Sequence, residues 1–209
     1  AKKLFSVSKR LARTTKNEIV LAPPATFLGA FACKNKSRVA FAAQDVSVTT
    51  GGSQTGEVTA RAYAAVGAAY AIIGHSERRA AGDTDAVVAL KLAHALAQGL
   101  IPILCIGERE RDTAGQYLGF VREELTSAIM ALPSKERSKI IVAYEPLWAI
   151  GKTSASAILP NDLAEMILYI RKVLAELLPG KSSQHSLVLY GGSVEPGDIR
   201  DLARNTSVD

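Results

Sequence analysis

Apolar residues fall in short blocks along this chain, and the spacing inside each block separates helix from strand. Leu4-Phe5-Ser6-Val7-Ser8-Lys9-Arg10-Leu11 carries apolar side chains near helical spacing and predicts a first helix. Glu18-Ile19-Val20-Leu21-Ala22 is a short apolar run stopped by Pro23-Pro24, which predicts a strand. Residues 26–32 return to helix and residues 38–44 to strand. A polar, Gly-rich loop over 47–56 leads into helix 57–66. Residues 69–73 predict a strand ending at Gly74, and 85–98 an amphipathic helix. Strand 101–106, helix 114–131, strand 139–144, helix 161–178 beside Pro160, strand 186–190 and helix 196–204 complete the pattern.

Six strands are predicted, each followed by a helix, with one extra helix in front. The strands are apolar throughout instead of alternating, the signature of a parallel sheet covered on both faces. Periodicity leaves two architectures open, a doubly wound open sheet or a (β/α) barrel. No composition shift marks a linker, so residues 1–209 are expected to form one domain. Polar residues follow nearly every strand: Gln44-Asp45, Gly74-His75-Ser76-Glu77, Gly107-Glu108, Glu145-Pro146 and Gly191-Gly192-Ser193. In a barrel such loops converge on one face, where active sites lie. A converging His, Glu and Gly-Gly-Ser favours the barrel over the open sheet.

Composition narrows the classes further. With 48% hydrophobic and 22% charged residues, the chain is neither disordered nor a fibrous repeat. It has no apolar run of membrane-spanning length and no leader-like apolar core near Ala1–Leu4, so no membrane partner is expected. The formal net charge is +5, with Lys2, Lys3, Lys9, Arg10, Arg13 and Lys16 clustered early. Without interleaved aromatics this reads as the wet face of the first helix, and no nucleic-acid partner is expected. Cys33 and Cys105 each sit in an apolar stretch and read as two buried thiols in a reducing, cytoplasmic compartment.

Three motifs carry the chemistry: Gly74-His75-Ser76-Glu77-Arg78-Arg79, Ala143-Tyr144-Glu145-Pro146-Leu147-Trp148-Ala149-Ile150-Gly151 and Tyr190-Gly191-Gly192-Ser193-Val194. In this order and spacing, with Ala42-Ala43-Gln44-Asp45 and Thr55-Gly56-Glu57, the chain resembles the triosephosphate isomerase family along nearly its whole length. The resemblance implies an incomplete (β/α)8 TIM barrel with about six parallel strands and flanking helices. It implies proton transfer between dihydroxyacetone phosphate and glyceraldehyde 3-phosphate, in glycolysis and gluconeogenesis, without a cofactor or metal. Glu145 matches the family's base, and a carboxylate desolvated at a strand end is made more basic. His75 matches the electrophile, a neutral imidazole donating to the carbonyl, with Ser76 and Glu77 in support; this pair is a standard illustration of pKa tuning. A zinc reading of His75-Ser76-Glu77 fails because no Cys-x-x-Cys follows. His94 and His185 are read as structural. Gly151, Gly191, Gly192 and Ser193 match phosphate contacts through backbone N–H groups. Gly151-Lys152-Thr153 is not a P-loop, since the upstream glycine position holds Pro146.

The chain also departs from the family pattern. Residues 146–155 resemble a lid that excludes water, but Ile150-Gly151-Lys152 is two residues shorter than the usual run. Against the family, the chain is expected to lack the first strand, which bears a catalytic lysine, and the eighth strand with its phosphate-binding turn. Glu77, which pairs with that lysine in the family, then needs another partner. Weak or absent activity follows, with a catalytically inactive oligomeric barrel as the alternative. Thr55, Gly56 and Glu57 match a loop that enters a partner subunit. A homo-oligomer is therefore expected through loop 47–57 and through exposed strand edges near 18–22 and 186–190.

Overall fold

A computed structural model describes residues 1–149, 158–178, 180, 182–197 and 199–209. In chain order its elements are α1 (Lys2–Thr14), β1 (Val20–Leu21), α2 (Ala25–Ala32), β2 (Ala40–Ala43), α3 (Ala60–Ala65), β3 (Tyr70–Ile73), α4 (Ser76–Ala80) and α5 (Asp85–Ala97). They continue with β4 (Ile101–Ile106), α6 (Gln116–Met130), α7 (Ser134–Arg137), β5 (Ile141–Tyr144), α8 (Pro160–Leu177), β6 (Val188–Tyr190) and α9 (Ile199–Asn205). Single 3-10 turns lie at Leu147–Ala149 and Ser182–His185. The six expected strands are all present among the described residues. Most are shorter than their apolar blocks, because a block counts buried side chains while a strand needs a hydrogen-bonded neighbour. The turn α7 was missed, being short and polar.

The chain falls into two compact units, Ala1–Ile73 with Leu90–Ile103 and Gly74–Ala89 with Leu104–Asp209. In the first, the strand order is β1-β2-β3 with the start of β4 beside β3. The pairing is parallel, Val20 opposite Ala40 and Ala42 opposite Tyr70. Helix α1 buries Phe5, Ser8 and Ala12 at i, i+3 and i+7. Phe5 stacks on Phe31 at 4.9 Å and tilts against Phe41 at 5.6 Å, joining α1 and α2 to β2. Leu4 and Leu11, part of the apolar spacing that predicted α1, face outward instead. The buried Lys91 ammonium donates to both Asp45 carboxylate oxygens, at 2.9 and 2.8 Å, so the charge is paired where water is excluded.

In the second unit the end of β4 is followed by β5 and β6. The last two are parallel, with Val142 opposite Val188 and Tyr144 opposite Tyr190. Helix α8 starts at Pro160, where a missing N–H costs nothing and the fixed φ suits the first turn. Its buried stripe, Leu163, Met166, Ile167, Ile170, Val173 and Leu174, keeps helical spacing for three turns. Each such side chain contributes about 1.5–3 kcal/mol on burial. On the side of β6 away from β5, the Asp209 N–H donates to the Val188 carbonyl at 3.0 Å, and Asp209 Oδ2 accepts the Val188 N–H at 2.7 Å.

Cys105 is buried as expected, whereas Cys33 is exposed. Cys33 ends α2 on its solvent side, beyond the last buried residue Phe31, so an apolar neighbourhood in sequence misjudged its face. No helix among the described residues is long and apolar enough to cross a membrane.

Candidate active site

The turn after β3 sets His75. Gly74 has φ +76, and a Cβ there would lie 3.2 Å from the Cys105 carbonyl, so glycine permits both the backbone and the close approach. His75 caps the short helix α4, and its Nδ1 accepts the Glu77 N–H at 3.2 Å. With that lone pair engaged, the neutral ring carries its proton on Nε2. Nε2 lies 3.7 Å from Glu145 Oε1, beyond a hydrogen bond and within reach of one shared molecule.

Glu145 follows β5 directly, and its side chain is 9% exposed against 33% for His75. Burial raises its pKa above the ordinary glutamate value, against the opposing pull of His75, the Cys105 thiol and the Ser76 N–H. Burial, and then the Glu145 charge, push the Cys105 thiol well up in turn. Oε2 of Glu145 has no hydrogen-bond partner among the described residues. Two glycines confine this side chain. A Cβ on Gly107 would collide with the Glu145 carbonyl, and one on Gly191 would lie 2.7 Å from Glu145 Cγ and 3.0 Å from Oε1. The cleft beside it, of about 800 Å³, is lined by Ser76, Arg79, Cys105, Gly107, Glu124 and Glu145 among others.

Two buried carboxylates organise the surroundings, Glu108, which the sequence placed at a strand end without a role, and Glu124, which sequence reasoning passed over. Glu108, 1% exposed, uses Oε1 to accept Tyr144 Oη at 2.8 Å, Trp148 Nε1 at 2.8 Å and Arg111 Nε at 3.3 Å. The Arg111 guanidinium also lies 5.1 Å from the centre of the Trp148 ring. Burial and the Glu108 charge push the Tyr144 phenol far above its usual pKa, so it stays a donor. Glu108 thus ties the end of β4 to the chain on both sides of Glu145. Glu124 accepts the Gly107 N–H at 2.9 Å and faces Arg79 Nε at 3.3 Å. The signal for Glu124 was readable: it shares a helix face with Val121, Leu125 and Ala128, where a carboxylate is rare unless paired.

The family profile described as triosephosphate isomerase matches residues 1–209. The chain belongs to the triosephosphate isomerase family. It is 37% identical to the triosephosphate isomerase of Moorella thermoacetica, the match covering 100% of this chain and 84% of that protein. It is 38% identical to that of Thermus thermophilus, covering 98% and 82%, and 40% identical to that of Alcanivorax borkumensis, covering 92% and 77%. Family membership makes the fold an incomplete TIM barrel and the chain one of an isomerase family.

Within that family frame, the geometry brings together His75, Ser76 and Glu145, with Gly191 packed on the glutamate side chain. Gly192 packs on the Tyr190 ring instead, and Ser193 is half-buried. The Glu77 side chain is exposed, so water solvates its carboxylate. Thr55, Gly56 and Glu57 form an exposed turn, with the Glu57 N–H donating to the Gln54 carbonyl at 3.1 Å. Gly151, Lys152 and residues 150–155 of the expected lid lie outside the described residues. His94 is half-buried on α5, and its Nδ1 lacks a hydrogen-bond partner among the described residues.

Proposed function

We propose that this chain carries the proton-transfer chemistry of triosephosphate isomerase, interconverting dihydroxyacetone phosphate and glyceraldehyde 3-phosphate. The observation that carries the reading is the facing pair His75 Nε2 and Glu145 Oε1 at 3.7 Å, with His75 Nδ1 already engaged. Glu145, made more basic by burial, takes the proton from the carbon beside the substrate carbonyl. The His75 Nε2–H donates to the carbonyl oxygen as negative charge develops there. His75 Nε2 gives its proton to that oxygen and takes the one on the adjacent hydroxyl, and the Glu145 carboxyl returns its proton to the former carbonyl carbon, so the carbonyl moves by one carbon with no net change in protons or electrons. The Gly191, Gly192 and Ser193 N–H groups, and Gly151, would take the phosphate. The cytoplasm suits this reading, given two cysteines present as thiols.

Turnover by the 209-residue chain alone is expected to be weak. Arg79, which lines the cleft together with Arg109, is engaged by Asp85 at 2.7 Å, Glu124 at 3.3 Å and the Gly74 carbonyl at 3.0 Å, so its charge is spent locally. A coupled assay run in both directions tests the reading. Glu145→Gln is expected to lower the residual rate about 10³-fold, the scale of a lost general base. The acid limb of kcat/KM should lie above the ordinary glutamate range, because the raised pKa keeps Glu145 protonated to higher pH. A wild-type rate indistinguishable from that of Glu145→Gln overturns the assignment.

A further inference from the structure

We propose that Glu124 is a positioning residue for the His75–Glu145 pair, holding the two turns that carry them through one buried carboxylate. Its Oε2 accepts the Gly107 N–H at 2.9 Å, and the Gly107 Cα is packed so closely on the Glu145 main chain that a Cβ would collide with its carbonyl. Its Oε1 faces Arg79 Nε at 3.3 Å, and that nitrogen also donates to the Gly74 carbonyl at 3.0 Å, one residue before His75. Gly74 and Gly107 lie at the ends of neighbouring elements, and no other described side chain accepts the Gly107 N–H while contacting Arg79. Moving Glu124 therefore loosens both turns together, without any contact between Glu124 and the reacting atoms. The inference rests on the proposed catalytic pair for its functional arm.

The charge state of Glu124 is part of the arrangement. Burial raises its pKa to about 7, opposed by Arg79 and the Gly107 N–H and reinforced by Asp85 and Glu108. The groups facing it are Arg79 on α4, Asp85 on α5, and Cys105, Gly107 and Glu108 at the end of β4, with Arg122 and Glu123 beside it on α6. As a carboxylate it holds both Arg79 and Gly107. Once protonated, it still accepts the Gly107 N–H but gives up its attraction for Arg79.

Two measurements test this in the full chain, with Glu124→Gln and Glu124→Ala. The first follows the Gly107 amide by NMR with 15N-glycine labelling. In the wild type its shift should titrate with a midpoint near 7. In Glu124→Gln, which keeps an acceptor but no charge, it should stay at the low-pH plateau. The second is the isomerase assay. Glu124→Ala should lower kcat about 10–100-fold at little change in KM, the scale of a small misplacement. Glu124→Gln should match the wild type below pH 6 and fall behind it above pH 8. A Gly107 amide that ignores pH in the wild type, or that titrates alike in Glu124→Gln, overturns the proposal. So does an active Glu124→Ala with unchanged kcat. If the wild type is inactive, the catalytic reading fails alone, and the amide titration still decides whether Glu124 holds the Gly107 turn. Should Glu124→Ala not fold, the Glu124→Gln pair of measurements is sufficient.

Discussion

Glycine does more at this site than loosen the chain. At Gly191 the backbone conformation suits any residue, so the requirement is one of space: the missing Cβ leaves room for the Glu145 side chain. Gly191→Ala is therefore expected to displace the carboxylate while leaving the strand pairing of β6 intact. The loss should appear as a fall of about 100-fold in kcat, the scale attached to a small misplacement of a catalytic group. The denaturation midpoint should move far less than for a core truncation. Gly192→Ala separates the two effects: its Cβ would meet the Tyr190 ring instead of Glu145, and as a proposed phosphate contact it is expected to raise KM more than it lowers kcat. Equal losses in the two variants would show that the turn as a whole matters and that the Glu145 contact does not. At the same scale, sequence reasoning found His75 and Glu145 because their motifs are contiguous. It placed Glu108 at a strand end without a role and passed over Glu124, because their partners, Tyr144, Trp148, Arg79 and Gly107, lie between 17 and 45 residues away, and only packing joins them.

Helices in this chain are held by caps as well as by buried stripes, and the caps explain why some boundaries were legible and others were not. The start of α8 was read to within one residue because Pro160 announces it. The start of α3 was placed at residue 57, three residues early, because polar Glu57 and Val58 look compatible with a helix. The structure puts the boundary at Thr59, whose Oγ1 accepts the Ala62 N–H at 3.2 Å and ends the preceding loop. Thr59→Ala removes that acceptor. It is expected to lower stability by about 1 kcal/mol, the usual cost of a lost cap, read as a shift in urea midpoint at unchanged m. Thr59→Ser should recover most of it, and equal midpoints for all three proteins would show that the cap contributes nothing. Helix α6 uses a different device. Asp112 gathers the Gln116, Tyr117 and Ala114 N–H groups, and these bonds hold its carboxyl below the ordinary range. That contribution is present above the unfolded pKa and fades as pH falls through the folded one. This helix carries Glu124, so its N-terminal bonds help to keep the positioning carboxylate in place.

At the scale of the whole molecule, the open question is what the chain presents to another copy of itself. The first unit ends at β1, a two-residue strand whose Val20 is 36% exposed, with Leu4, Leu11 and Phe27 also outward. The second ends at β6, around which Leu187, Val194 and Ile199 are exposed, although Asp209 already occupies the Val188 backbone groups. Unpaired strand backbone flanked by apolar side chains favours pairing with another chain. We expect the protein to associate at tens of micromolar, read as a mass above one chain by light scattering. Two surfaces compete for the cause, and one substitution separates them. Val20→Lys places a charge on the β1 edge, a device by which natural edge strands resist pairing, and leaves the 47–57 loop untouched. A return to a single-chain mass in Val20→Lys assigns association to the strand edge. Association that survives it but is lost on replacing the exposed Thr55-Gly56-Glu57 turn assigns it to the loop instead. A wild type that remains a single chain at these concentrations rules out both, and leaves the Asp209 clasp on Val188 and the brevity of β1 as sufficient protection of the two edges.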